Sequence, residues 1–236
     1  MKSKIYNPKD GYNIIAPYYD NWKWQKFWHK NEYPYIKEWC NSMSCGRGLD
    51  LGTGSGNNLE CFLSKGNKVT AIDLSLEMLN ICKQKYEKQI LNGSLECLEL
   101  DICNLPDWVR EYDWIVSNRA FSHIAHIDTI IEKMSHMIKY GGQCFISDIH
   151  PLHHYENTNL TIKDSEICIE TYKHKVNDIT DSLIKNNFKI IDFKEVGIRD
   201  IIDKDIIDYF PSLCNQDNPI FYYYIIKYCP FVVERN

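Results

Sequence analysis

The run Leu49-Asp50-Leu51-Gly52-Thr53-Gly54-Ser55-Gly56-Asn57-Asn58 constrains this chain more than any other stretch. It starts apolar, like the end of a buried parallel strand, then breaks into three glycines at alternate positions. Glycine there lets the backbone turn sharply and lets a ligand approach where a Cβ would clash. A helical pattern follows over residues 58–65, and strand, glycine turn, helix is the first half of a nucleotide-binding βαβ unit. The spacing narrows the choice. G-x-G-x-x-G is not met, because position 57 is Asn and the third glycine comes one residue early. No Gly-Lys-Ser/Thr follows, which excludes a P-loop.

Downstream, strands and helices alternate. Lys68 to Asp73 reads as a second strand closing in an acid about 20 residues past the first glycine, the position of a ribose ligand. A helix over 76–90 opens behind Ser75, a natural N-cap. Residues 95–100 form a third strand ending in Asp101-Ile102, and residues 113–118 a fourth. A loop from Arg119 to Ile124 leads into a helix over 123–140, which Gly141-Gly142 should cap. The fifth strand, 143–150, stops at Pro151. The alternation lapses over 152–175, an expected insertion covering the substrate, and resumes with a helix at 176–186 and strands at 188–196 and 219–227. Residues 197–218 would form a long loop, a second lid. Such alternation implies a mostly parallel sheet with helices on both faces.

The composition excludes other classes. A net charge of -5 argues against a nucleic-acid partner. Ten cysteines lie scattered with no C-x-x-C pair, and no apolar run nears the roughly 20 residues that span a bilayer. The expectation is a reduced cytoplasmic protein with no membrane association, its oligomeric state left open.

The pattern that fits the glycine run is D-x-G-x-G-x-G, from Asp50 to Gly56. With it the chain resembles the class I S-adenosyl-L-methionine (SAM)-dependent methyltransferases, in the ubiquinone/menaquinone-methyltransferase-like small-molecule branch. The resemblance implies a Rossmann-like, doubly wound α/β fold with seven strands in the order 3-2-1-4-5-7-6, the seventh antiparallel. It implies one domain: an N-terminal helical cap (1–45), a cofactor-binding half (46–150) and a substrate-side half (151–236) with an insertion at about 151–175. It makes SAM the cofactor, held by Asp50, Gly52, Thr53, Gly54, Gly56 and Asn57, by Asp73 and Leu74 at the ribose, and by Ser117. Asp101 would accept from the adenine amino group and Ile102 offer its N–H to the ring, although an Asp at a strand end is equally a turn former. Tyr12, Ala16, Tyr19 and Asp20 match a Tyr-x-x-x-Ala-x-x-Tyr-Asp segment that closes over the cofactor. The neighbouring tryptophans Trp22, Trp24, Trp28 and Trp39 would as readily pack the cap onto the sheet, and Pro34 would break or kink its helix.

A sulfonium methyl is already electrophilic, so the protein must place a nucleophile in line with it, with a base only where that nucleophile arrives protonated. The catalytic candidates are His150 and His123, with His126 further off and Arg119 as anchor for an anionic substrate. His150 is slightly preferred, because it ends the fifth strand beside the point where the strand order reverses. No metal is expected, since His150, His153 and His154 fix no regular face. The reading is methyl transfer to an O, N or C nucleophile of a small molecule, in natural-product or cofactor biosynthesis. The alternatives are an RNA or protein methyltransferase and a non-catalytic SAM-binding partner subunit.

Overall fold

The computed structural model describes residues 4–106, 111–153, 156–163, 165–201 and 218–230. A short strand β1 (Ile5–Tyr6) leads into three helices, α1 (Pro8–Tyr19), α2 (Lys23–Asn31) and α3 (Tyr33–Ser42). Asn7 caps α1 by accepting from Asp10 N–H, and Pro8 takes the first turn, where no N–H is needed. Pro34 sits in the first turn of α3 for the same reason, just past the break between α2 and α3.

The alternating part follows as β2 (Arg47–Leu51), α4 (Leu59–Ser64), β3 (Lys68–Asp73), α5 (Leu76–Lys85), α6 (Glu87–Leu91), β4 (Leu95–Glu99), β5 (Tyr112–Asn118), α7 (Ile127–Met137) and β6 (Ile138–Ile149). After it come β7 (Thr158–Ile162), β8 (Ser165–Ile169), α8 (Val176–Lys185), β9 (Phe188–Val196) and β10 (Phe221–Tyr228). The large sheet runs β4-β3-β2-β5-β6-β10-β9, or 3-2-1-4-5-7-6 when its own strands are numbered. β2 to β6 pair in parallel, and β10 is antiparallel to both neighbours. The order reverses between β2 and β5, and a crevice opens beyond their carboxyl ends.

Side-chain alternation along the strands builds two cores. Trp114, Val116 and Phe145 pack with Phe27, Trp39 and Phe62 on the cap side, while Leu49, Ile115 and Ile146 pack with Ile130, Met134 and Leu183 on the other. Trp114 stacks on Phe62 at 4.4 Å and donates its indole N–H to Asn67 at 3.0 Å.

Three local expectations change. The helix over 76–90 is two helices, parted at Tyr86 (φ -116°, ψ 29°), whose hydroxyl is drawn under the glycine turn to donate to Gly56 O at 3.0 Å. The helix over 123–140 is only α7, after a 3₁₀ turn at Phe121–His123. It ends at Met137, and Gly141-Gly142 caps nothing. Those glycines sit inside β6, where the pairing jumps from Tyr112↔Ile138 to Trp114↔Gln143. Gly141 takes φ 76°, and a Cβ on Gly142 would stand 2.8 Å from Asp113 O. The helix ends where Ile138 turns extended and pairs with Tyr112, and the glycines absorb the surplus residues.

Residues 152–175 are not merely an irregular cover. β7 and β8 form an antiparallel hairpin, and β8 pairs in parallel with β1 through Ile5↔Cys168 and Tyr6↔Ile169. Leu160, Ile167 and Ile169 then bury Ile15 of α1, with Tyr12, Tyr19 and Trp22 against them. The cap and the insertion are thus tied together. Of the proposed second lid, residues 202–217 lie outside the described residues.

Candidate active site

The glycine turn joins β2 to α4. Gly52 and Thr53 donate their N–H groups to Ile72 O at 2.9 Å each, and Gly54 N–H goes to Asp73 Oδ2 at 2.7 Å. Gly52 takes φ 78°, and a Cβ there would lie 2.6 Å from that of Ala120. The turn therefore leaves a cradle that a side chain would fill. It opens on a cleft of about 110 Å³ lined by Gly52, Gly54, Asp73, Leu74, Asp101 and Ile102, with Tyr12 and Tyr19 from α1 above. A smaller recess of about 30 Å³ continues past Asp50, Thr53, Asn57 and Asn118.

The cleft fits an adenosyl group with an amino-acid tail. Asp73 holds its carboxylate by backbone donors, Gly54 N–H on one oxygen and Ser75 N–H (2.8 Å) on the other. Each oxygen keeps a further lone pair for a diol. Burial raises the pKa of Asp73 against those donors, and burial pushes Asp50 up to about 7. Asp101 does both things open to it: it lines the cleft, and it caps the next turn by accepting from Cys103 N–H at 2.8 Å and the Asn104 amide at 2.7 Å.

Two cofactor candidates stand apart from the cleft. Ser117 donates its hydroxyl to Leu51 O at 3.1 Å inside the sheet, and its neighbour Asn118 lines the cleft instead. Asn118 is fixed by the Asn58 amide at 3.0 Å and by Ser147 Oγ at 2.8 Å. Gly56 packs the turn onto α5, where a Cβ would meet Cys82 Sγ at 2.7 Å. Asn57 latches the cap, giving its amide to Asp20 at 3.1 Å and accepting from Lys85 at 2.7 Å. Burial alone would raise the pKa of Asp20, but Lys85, Ser55 and Asn57 together hold it below the usual carboxylate range.

Beyond the cleft lies a larger cavity of about 410 Å³, walled by Trp22, Trp24, Trp28, Ile149 and Ile220. The two share four lining residues, Tyr12, Tyr19, Arg119 and His123. His123 is oriented from both ends. Its Nδ1 lies 2.8 Å from Glu170 O, which can only accept, so Nδ1 carries the proton in the neutral ring. Nε2 is left as a lone pair, and at 2.8 Å it accepts from the Tyr12 hydroxyl. Burial lowers the His123 pKa, while the Glu170 carbonyl and the Asp148 charge oppose it. Asp148 is itself buried and accepts the N–H groups of Ser122 and Ile149, each at 2.7 Å.

His150 lines neither cavity. Only 3% exposed, it accepts Leu152 N–H on Nδ1 (3.2 Å) and holds Glu195 Oε1 at 2.9 Å from Nε2. Register explains this: alternation along β6 turns Ile149 toward the cavity and His150 to the opposite face, beside Tyr222. His126 is exposed at the start of α7. Arg119 is no free anion anchor, because its guanidinium forms an ion pair with the buried Glu32 of the cap. His153 lines the larger cavity, and His154 lies outside the described residues. Among the described residues no three His, Cys, Asp or Glu side chains are grouped to hold a metal ion.

Glu32, Asn118, Asp148 and the Glu170 carbonyl all escaped the reading of the sequence. Asp148 carried a signal, an acid at the end of a parallel strand. Glu32 carried none, because its partner is 87 residues away.

Comparison with known proteins agrees with this geometry. Residues 49–146 match the family described as a methyltransferase domain. A ubiquinone biosynthesis O-methyltransferase from Coxiella burnetii is 30% identical over 101 residues, 43% of this chain and 42% of that protein. A 2-phytyl-1,4-naphtoquinone methyltransferase from Nostoc punctiforme is 25% identical over 144 residues, 59% of this chain and 63% of that protein. The chain thus spans less than two thirds of the length of these relatives. A SAM-dependent methyltransferase from Clostridium acetobutylicum shares the fold with a TM-score of 0.68 at 19% identity, covering 92% of this chain and 99% of that one. Haemonchus contortus phosphoethanolamine N-methyltransferase 2 does so with a TM-score of 0.65 at 17% identity, over 84% of this chain and 52% of that one.

The fold is thus similar to that of solved SAM-dependent methyltransferases. The similarity to the methyltransferase domain family covers residues 49–146, less than half of the chain. No helix among the described residues is long and apolar enough to cross a membrane.

Proposed function

We propose that this protein transfers the methyl group of SAM to a hydroxyl of a small aromatic acceptor held in the larger cavity. The observation that carries the reading is the His123 Nε2 lone pair, at the junction of that cavity with the cofactor cleft. When bound, SAM supplies a methyl on a positively charged sulfur. Asp73 receives the ribose diol, Asp101 and Ile102 the base, and the recess at Asp50, Thr53 and Asn57 the amino-acid end. Tyr12 and Tyr19 cover the cleft and exclude water. Holding a nucleophile in line contributes on the order of 7–11 kcal/mol to such a displacement. His123 accepts the acceptor's proton at Nε2 once the substrate displaces the Tyr12 hydroxyl. The Nδ1 proton stays on the ring, donated to Glu170 O, and Asp148 offsets the charge that forms. A neutral imidazole suits a hydroxyl nucleophile, and the quinone-related names of the relatives point the same way.

Two measurements test this. Calorimetry should show binding of SAM and S-adenosylhomocysteine, weakened in Asp73→Ala by about 1.5–3 kcal/mol for the lost charged acceptor. Incubation with SAM and a panel of phenols and catechols, read by mass spectrometry, should yield O-methyl products. Transfer only to amines, RNA or protein would overturn the proposal. A net charge of -5 favours an enzyme acting on metabolites over one that tracks phosphates.

A further inference from the structure

Arg119 is the only Lys or Arg among the described residues that line the larger cavity. A cation there would ordinarily recruit an anionic substrate, yet this one is already matched. Its Nη1 pairs with Glu32 Oε2. Glu32 is 1% exposed, and its other oxygen accepts the Ser147 hydroxyl at 2.7 Å. The guanidinium carbon lies 5.0 Å over the Trp28 ring, so an aromatic face covers it as well. Glu32 comes from the junction of α2 and α3, where its N–H bonds to Trp28 O at 2.9 Å. Burying a carboxylate there is costly unless a cation meets it, so neither charge is spare. Glu156 adds a further carboxylate to the cavity wall. An acceptor bearing a carboxylate or phosphate would lose its hydration against two carboxylates and find no uncommitted cation.

We infer that Glu32 is a specificity-determining residue that, by neutralising Arg119, restricts the acceptor to uncharged aromatic molecules and rejects their anionic analogues. This rests on the reading of the larger cavity as the acceptor site.

The test uses the protein saturated with S-adenosylhomocysteine and two probes of one ring size, p-cresol (uncharged) and p-toluate (anionic), titrated calorimetrically. Wild type should bind p-cresol and hold p-toluate about tenfold or more weakly. Glu32→Gln keeps the shape and frees the guanidinium, so p-toluate should tighten by about tenfold or more, a charge-assisted hydrogen bond's worth. p-Cresol should change by less than about threefold, and adding Arg119→Gln should cancel the gain. Should Glu32→Gln fail to fold, Glu32→Asp keeps the charge but withdraws it from Arg119, and must shift p-toluate in the same direction. Equal binding of the two probes to wild type, or an unchanged p-toluate affinity in the folded variant, would overturn the inference. Trp24→Ala separates the two layers. If neither probe binds, or both ignore Trp24→Ala, the cavity assignment fails and the inference with it. If p-cresol binding depends on Trp24 while the charge order is wrong, only the role of Glu32 falls.

Discussion

His123→Gln is the most informative single change. A glutamine amide can still donate to Glu170 O and its carbonyl can still accept from the Tyr12 hydroxyl, so both 2.8 Å contacts have replacements. What it cannot do is take a proton. General-base help contributes about 10²–10⁴ in rate, or about 3–5 kcal/mol of barrier. Turnover on a phenolic acceptor should fall by that factor, with affinity for S-adenosylhomocysteine changed less than about threefold, because Asp73 and the glycine turn are untouched. The pH profile is the sharper readout. Burial lowers the His123 pKa from 6.5, so wild-type activity should rise with pH along a limb whose midpoint lies below that value and be flat above it. Stability follows with the same sign. The unfolded chain binds the proton more readily, so the contribution of the neutral ring is complete above 6.5. It is lost as pH falls from there through the folded pKa. His123→Gln should erase both dependences. Turnover within a few-fold of wild type, or survival of the acid limb in the variant, would refute the base assignment.

Other substitutions probe the rest of the site. His150→Ala should leave turnover within a few-fold while lowering stability by about 0.5–3 kcal/mol, because it removes a buried ring that lines neither cavity, its partners Leu152 and Glu195 being exposed; a large loss of turnover in a folded protein would return the base role to it. Gly52→Ala should destabilise by about 2–4 kcal/mol, since the positive φ and the Ala120 contact both penalise a Cβ, and thermal melts with and without SAM would show it. Asp50 is held at about 7, so its folded state binds an extra proton and its contribution is lost as pH rises through that value. Asp50→Asn should therefore flatten the decline in melting temperature of the free protein between pH 5 and 8, and an unchanged slope would reject the buried-acid reading.

What the sequence determined by itself is what local chemistry dictates. Three glycines at alternate positions can only be a turn whose backbone takes φ values other residues avoid, and Gly52, Gly54 and Gly56 all do so at 78°, 56° and 78°. Apolar runs ending in acids placed Asp73 and Asp101 at the mouths of parallel strands, and Ser75 marked the start of α5 by accepting Met78 N–H. Tertiary structure decided the rest. The glycines at 141 and 142 look like a helix cap in one dimension, yet pairing of Ile138 with Tyr112 in the sheet ends α7 earlier and leaves them in an irregular strand pairing. Whether Ile149 or His150 faces the substrate turns on one residue of register along β6, which no periodicity in so short an apolar run resolves. The pairing of Arg119 and the tautomer of His123 depend on Glu32 and on the carbonyl of Glu170, 87 and 47 residues away in the chain. Both partners reach the cleft only because the N-terminal cap and the hairpin of β7 and β8 fold back together over it.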